Sequence, residues 1–163
     1  MNNTFVGFKA FNKNLINRYG KIYELNKIYH TKEKIKFGIN GNGFHMCRNL
    51  EDTLRYYDSF NNDIEICLVL GYGNFESYCD DYYGYYNMFA FESMYIIKIL
   101  SRNEIINYMK TKSSDRIKRF ISLYKMNEEE YNIFRNISVD IDNYIDYYQL
   151  NKKDVFKKKY HLE

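Results

Sequence analysis

The chain lacks proline and tryptophan altogether, and its 163 residues include only three cysteines, three histidines and two alanines. With no proline and few glycines there is no linker-like stretch, and no internal repeat is present. The chain therefore reads as one domain spanning residues 1–163. No run approaches the roughly 20 apolar residues of a membrane span. Met1-Asn2-Asn3-Thr4 lacks the basic and apolar segments of a secretory signal. Cys47, Cys67 and Cys79 are odd in number and follow no recognisable spacing. A reducing, cytoplasmic setting with free thiols is the expectation. A structural zinc site needs four ligands in closely spaced pairs. His45 and Cys47 make the one close pair, so no metal is expected.

A large charge of either sign is also missing. The 24 basic and 21 acidic side chains leave +3, which does not by itself imply nucleic acid. Residues 1–100 are balanced at 11 and 11, so the excess lies beyond them, at 13 and 10. Lys152, Lys153, Lys157, Lys158 and Lys159 form a basic tail. It reads as a solvated helix face or end, with phosphate or nucleic-acid contact as the less favoured use.

Aromatic residues are abundant: 19% of the chain, from 19 Tyr and 12 Phe. The apolar fraction of 45% excludes disorder and is ample for a core. Asn, Lys, Ile and Tyr crowd the sequence, and codon bias toward AT-rich triplets would raise the tyrosine count without any selection on function.

The apolar periodicity changes near residue 100. Before it, Thr4 to Phe11 reads as a strand, and residues 27–30 and 35–37 are short β candidates. Residues 38–43, rich in Gly and Asn, form a turn leading into a strand at Phe44-His45-Met46-Cys47. Asn49 stands as an N-cap with Asp52 three residues on, and Leu50, Leu54 and Tyr57 share one helical face. Ile64 to Leu70 and Ser93 to Leu100 are continuous apolar runs, the pattern of central strands.

After residue 100 the spacing is helical. Ser101 and Glu104 have capping-box spacing. Ser114 caps a second helix with Ile117, Phe120, Ile121 and Tyr124 on one face, and Asn127 with Glu130 opens a third. Residues 140–150 and 151–159 are further candidates. The fold class is α+β: a β-rich body over about residues 4–100 packed with a run of short helices. The helix pair near 114–136 is not read as DNA-binding. Its second helix opens on Glu128, Glu129 and Glu130, which would repel phosphates at the end that should meet them.

No phosphate-binding loop, zinc-protease or nucleophile-elbow motif is present. Cys47 and His45, two apart on one strand, share a face. Without an orienting third group they read as a buried cysteine and a hydrogen-bonded core histidine rather than as a nucleophile and its base.

Gly41-Asn42-Gly43-Phe44-His45-Met46-Cys47, with the helix through Leu54 to Tyr57, resembles a strand motif of ADP-ribosyltransferases. Phe8-Lys9-Ala10-Phe11 and Phe91-Glu92-Ser93 stand where that family places two further elements. The resemblance implies an NAD-using enzyme. Lys9 would hold pyrophosphate or ribose, His45 would stack on nicotinamide, and Glu92 would bind a ribose hydroxyl. The sequence departs from the family, with Lys9 for His or Arg, Ala10 for Gly and His45 for Tyr, so an altered site is implied. Gly7-Phe8-Lys9-Ala10-Phe11, Gly43-Phe44-His45-Met46-Cys47 and Tyr56-Tyr57 also resemble an uncharacterised bacterial and phage family over about the first 100 residues.

A second constellation runs from Glu76 to Tyr86, where tyrosines alternate with acids. Asp80, Asp81, Tyr82, Tyr83, Tyr85 and Tyr86 would form a hairpin or exposed loop between two core strands. Tyr gives large contact area at low entropic cost. Two functions follow. The first is a small intracellular regulator or inhibitor from a bacterium, phage or mobile element, which uses no cofactor and occludes a protein partner with a basic surface through this cluster. The alternative is the NAD-using enzyme.

Overall fold

A computed structural model describes residues 3–38, 41–80 and 85–151. The chain divides into two compact units at Leu100/Ser101. The class is α+β, with an antiparallel sheet in the first unit and helices in the second.

The first unit is built from β1 (Thr4–Asn12), β2 (Ile28–His30), β3 (Phe44–Cys47), β4 (Ile64–Asp80) and β5 (Tyr85–Ile99), with a one-turn helix, α1 (Leu50–Thr53), after β3. All strand pairs are antiparallel. Pairing runs β5–β3–β1–β4 and returns from β4 to β5, so those four strands form a closed circuit, with β2 added on β5. Closure removes most free strand edges and wraps one face around a common core. Phe11, Phe44, Met46, Val69, Phe91, Met94 and Ile96 fill that core, with Phe5 packed against it. Phe5 and Phe89 meet at 4.4 Å between ring centroids.

Strand β3 lies where the apolar pattern places it. The pair β4–β5 extends much further than the apolar runs at 64–70 and 93–100. It continues as a long hairpin through Phe75↔Phe91 and Tyr78↔Met88 to Asp80↔Tyr85. The polar and aromatic residues of this extension satisfy the backbone ladder as well as aliphatic ones do, while Phe75, Glu76, Ser77 and Tyr78 stay exposed. Residues 35–37 do not form a strand. Lys36 makes one isolated bridge with Asn42, which closes the turn-rich loop.

The second unit holds α2 (Arg102–Met109), α3 (Ser114–Ile121), α4 (Glu128–Arg135) and α5 (Val139–Leu150). Both expected capping boxes form: Ser101 with Glu104, and Asn127 with Glu130. Helix α3 starts one residue earlier than expected, with Ser113 at the cap position. Ile117, Phe120, Ile121, Phe134, Ile141 and Ile145 are fully buried. Arg102 pairs with Glu130, and Arg135 with Asp142 and Asp146. The expected helix at 151–159 lies almost wholly outside the described residues, as do all five lysines of the tail.

Candidate ligand-binding site

A cavity of about 350 Å³ opens in the β body, within the size range of small-molecule sites. Three segments meet there. Strand β1 brings Phe8, Lys9 and Ala10, strand β3 brings Phe44 to Cys47, and the loop after β1 brings Asn17, Arg18 and Tyr19. Phe37, Tyr56 and Tyr57 complete an aromatic wall. Among the described residues, no aspartate or glutamate lines it.

Lys9 is half-buried in this wall, and its Nζ donates to the His45 carbonyl at 2.6 Å. Its Nζ lies over the Phe11 ring, 5.6 Å from the centroid. Among the described residues, Lys9 makes no salt bridge. Burial pulls its pKa down to about 8. The Cys47 thiol partly opposes that fall, and the Arg18 guanidinium adds to it.

Arg18 is exposed, and its guanidinium lies over two rings, 4.9 Å from Tyr19 and 5.6 Å from Tyr56. It donates to the Tyr19 hydroxyl at 2.7 Å. No carboxylate among the described residues forms a salt bridge with it. Burial raises the phenol pKa of Tyr23, Tyr56 and Tyr57, so these rings face the cavity as neutral donors and apolar surface. The Tyr56 hydroxyl reaches Met88 Sδ at 2.8 Å.

His45 is held as a neutral imidazole. Burial lowers its pKa to about 4, with Lys9 and Arg18 adding to the shift, while a ring hydrogen bond to the Gly43 carbonyl partly offsets it. Nε2 is sealed and has no hydrogen-bond partner. The ring proton shared with Gly43 therefore sits on Nδ1. Gly43 adopts φ +88, and a Cβ there would lie 3.0 Å from the Phe91 carbonyl, so the turn that aims this carbonyl requires glycine. The edge of Phe37 meets the imidazole at 4.9 Å, and Phe37 stacks on Tyr78 of the hairpin at 5.1 Å.

Glu92 lies elsewhere. Between Tyr72↔Ser93 and Phe75↔Phe91 strand β4 has two residues where β5 has one, which makes a β-bulge. Gly73 occupies it at φ +90. Glu92 Oε2 accepts from the Asn74 backbone at 3.0 Å and from the Asn74 side chain at 2.8 Å. Its other oxygen is 3.8 Å from His30 Nε2. Glu92 is thus the carboxylate that holds the bulge, and it is not among the residues lining the cavity. The structure brings Lys9 and His45 together and leaves Glu92 apart.

Cys47 also lines the cavity, buried and outside any disulfide. Cys67 lies in the core, and burial pushes its thiol up to about 12, so it stays protonated and unreactive. Of the acidic tyrosine cluster, Asp81, Tyr82 and Tyr83 lie outside the described residues. The backbones of Asp80 and Tyr85 pair at the far end of the β4–β5 hairpin, with Tyr86 next to them opposite Cys79. Among the described residues no group of three or more His, Cys, Asp or Glu is arranged to hold a metal ion, and no helix is long and apolar enough to cross a membrane.

The loop partners Asn17, Arg18 and Phe37 were not among the sequence candidates. They come from segments whose sequences carry no motif. The Tyr56-Tyr57 pair, like Phe8, Lys9, Phe44 and His45, belongs to the motifs that the sequence shows.

Fold and site together define a small antiparallel β body with a cationic, aromatic-walled pocket. The chain belongs to the family described as a domain of unknown function, DUF7666, whose profile matches residues 5–108. No curated protein and no solved structure matches it.

Proposed function

We propose that the β body is a receptor for a small anionic ligand with an aromatic or heterocyclic part. One observation carries the reading: two cations, Lys9 and Arg18, share a cavity that no described carboxylate lines. A half-buried ammonium without a counter-ion is costly, and an anion entering the cavity would supply that counter-ion. The rings of Phe8, Phe37, Phe44, Tyr56 and Tyr57 offer the apolar surface that a flat ligand body needs. Calorimetric titration with adenosine monophosphate and with adenosine tests it. The phosphate-bearing compound should bind at least about tenfold more tightly, roughly 1.4 kcal/mol. Equal binding of both, or of neither, would overturn the reading.

NAD is one ligand of this chemistry, and the NAD-using enzyme is its enzymatic form. Lys9 and His45 sharing one cavity supports that form, while Glu92 would have to act from outside it. The assay is release of nicotinamide from NAD, compared between the wild type and Glu92→Gln.

A second reading is supported by the hairpin itself. The backbones of Asp80 and Tyr85, two members of the acidic tyrosine cluster, pair at its far end, and a long two-stranded arm suits contact with the basic surface of a protein partner. Under that reading the chain regulates or inhibits by contact. Alanine at Tyr82, Tyr83, Tyr85 and Tyr86 together should abolish partner binding without altering adenosine monophosphate binding in the cavity.

A further inference from the structure

We propose that Lys9 captures carbonyl-bearing anions, small aldehydes or ketones carrying a phosphate or carboxylate, as a reversible imine inside the cavity. The proposal rests on the anion-receptor reading above and names the ligand class of the same site. Four features of the geometry support it. Lys9 Nζ is anchored by one hydrogen bond to the His45 carbonyl, which a neutral amine can keep while its lone pair remains available. No salt bridge among the described residues ties the ammonium up. Arg18 lines the same cavity and can hold the anionic group. The rings of Phe37, Tyr56 and Tyr57 give part of the site an apolar lining, which favours a dehydrated adduct. A lysine desolvated beside a second cation is the arrangement that makes an amine nucleophilic near neutral pH. The lowered pKa of Lys9, about 8, agrees with this.

The step balances without any further reactant. The neutral Nζ donates its electron pair to the carbonyl carbon, and the C=O π pair moves to oxygen. Nitrogen gives a proton to solvent and the oxygen takes one, forming a carbinolamine. The hydroxyl then leaves as water after protonation, and a C=N bond forms. Hydrolysis reverses every step.

The probe is pyridoxal 5′-phosphate at one equivalent with the full chain, followed by borohydride reduction, digestion and mass spectrometry. Pyridoxine 5′-phosphate, which carries an alcohol in place of the aldehyde, serves as the competitor. The expected result is a reduced adduct on Lys9 at about tenfold or more over exposed lysines such as Lys32 and Lys98, suppressed by the competitor. Its formation rate should rise through pH 8, and Lys9→Arg should lose it while surface labelling persists. The wild-type peptide map decides the matter even if that variant folds poorly. If Lys9 stays unmodified while pyridoxine 5′-phosphate binds the cavity, imine capture is overturned and the anion receptor stands. If neither phosphate binds, both readings fall.

Discussion

Two cations in each unit, Arg102 and Arg135 in the helices and Lys9 and Arg18 in the β body, are handled in opposite ways. In the helical unit Arg102 meets the buried Glu130 and also reaches the Lys125 carbonyl, and Arg135 sits between Asp142 and Asp146. In the β body, Lys9 and Arg18 line a cavity with no described carboxylate. A paired charge completes a structure, since its partner fixes its geometry and repays its desolvation. A half-buried charge without a partner costs stability, and it is the kind of feature that ligand sites carry. Glu92 makes the same contrast within the β body. Two Asn74 N–H groups and His30 surround it, and it acts on the bulge rather than on the cavity.

The comparison is best broken by removing partners on one side and cations on the other. The largest effect belongs to Glu130→Ala, which takes the carboxylate from Arg102 and removes half of the α4 capping box. We expect a loss of about 1–3 kcal/mol in denaturant unfolding, with adenosine monophosphate affinity unchanged.

Lys9→Met should do the reverse. Ligand affinity falls at least about tenfold, roughly 1.4 kcal/mol, while stability at pH 7 does not fall. The pH dependence follows from the sign of the shift. Lys9 binds its proton less tightly when folded, about 8 against the ordinary 10.5. Between these values the unfolded chain holds more protons, so stability rises with pH from about 8 to 10.5. Lys9→Met should flatten that rise in unfolding curves taken across the window. Ligand binding runs the other way in the wild type and weakens above pH 8 as the cation is lost. His45 adds an acid limb. With its folded pKa near 4, stability falls as pH drops from 6.5 to 4 and then levels off, because only the unfolded chain takes up the proton in that range.

Arg18→Ala should cost the ligand less, about 0.5–1 kcal/mol in the same titration, because this cation is exposed and screened. Glu92→Gln has the smallest effect on the ligand. It should lower stability by about 1 kcal/mol through the bulge and leave adenosine monophosphate binding unaltered. A loss of binding in Glu92→Gln would place Glu92 in the site and dissolve the contrast.

Local signals carried much of this fold. Ser101 with Glu104 and Asn127 with Glu130 are short-range chemistry, and both boxes form as their spacing predicts. Strand β3 follows from its apolar residues and the glycine turn before it. The long hairpin was legible only as one of two alternatives, a hairpin or an exposed loop, because Tyr, Glu, Ser and Asp at 76–80 lack the apolar pattern that marks a buried strand. Cross-strand pairing decides their conformation, and pairing is a long-range property. The same limit applied to the site. Lys9 and His45 were visible through their motifs, and β1 and β3 are neighbours, so they meet. Arg18 and Phe37 reach the cavity from loops whose paths depend on the whole body. The place of Glu92 was not legible for a physical reason: the two-residue bulge at Gly73-Asn74 gives its carboxylate local donors, and strand order alone does not disclose a bulge.

The most direct measurement is the titration of Lys9 itself, followed by NMR of lysine side chains labelled at Cε and assigned with Lys9→Arg. The midpoint should lie near 8 in the free protein and move upward when adenosine monophosphate supplies a counter-ion. A Lys9 that titrates near 10.5, the same with and without the nucleotide, would contradict it.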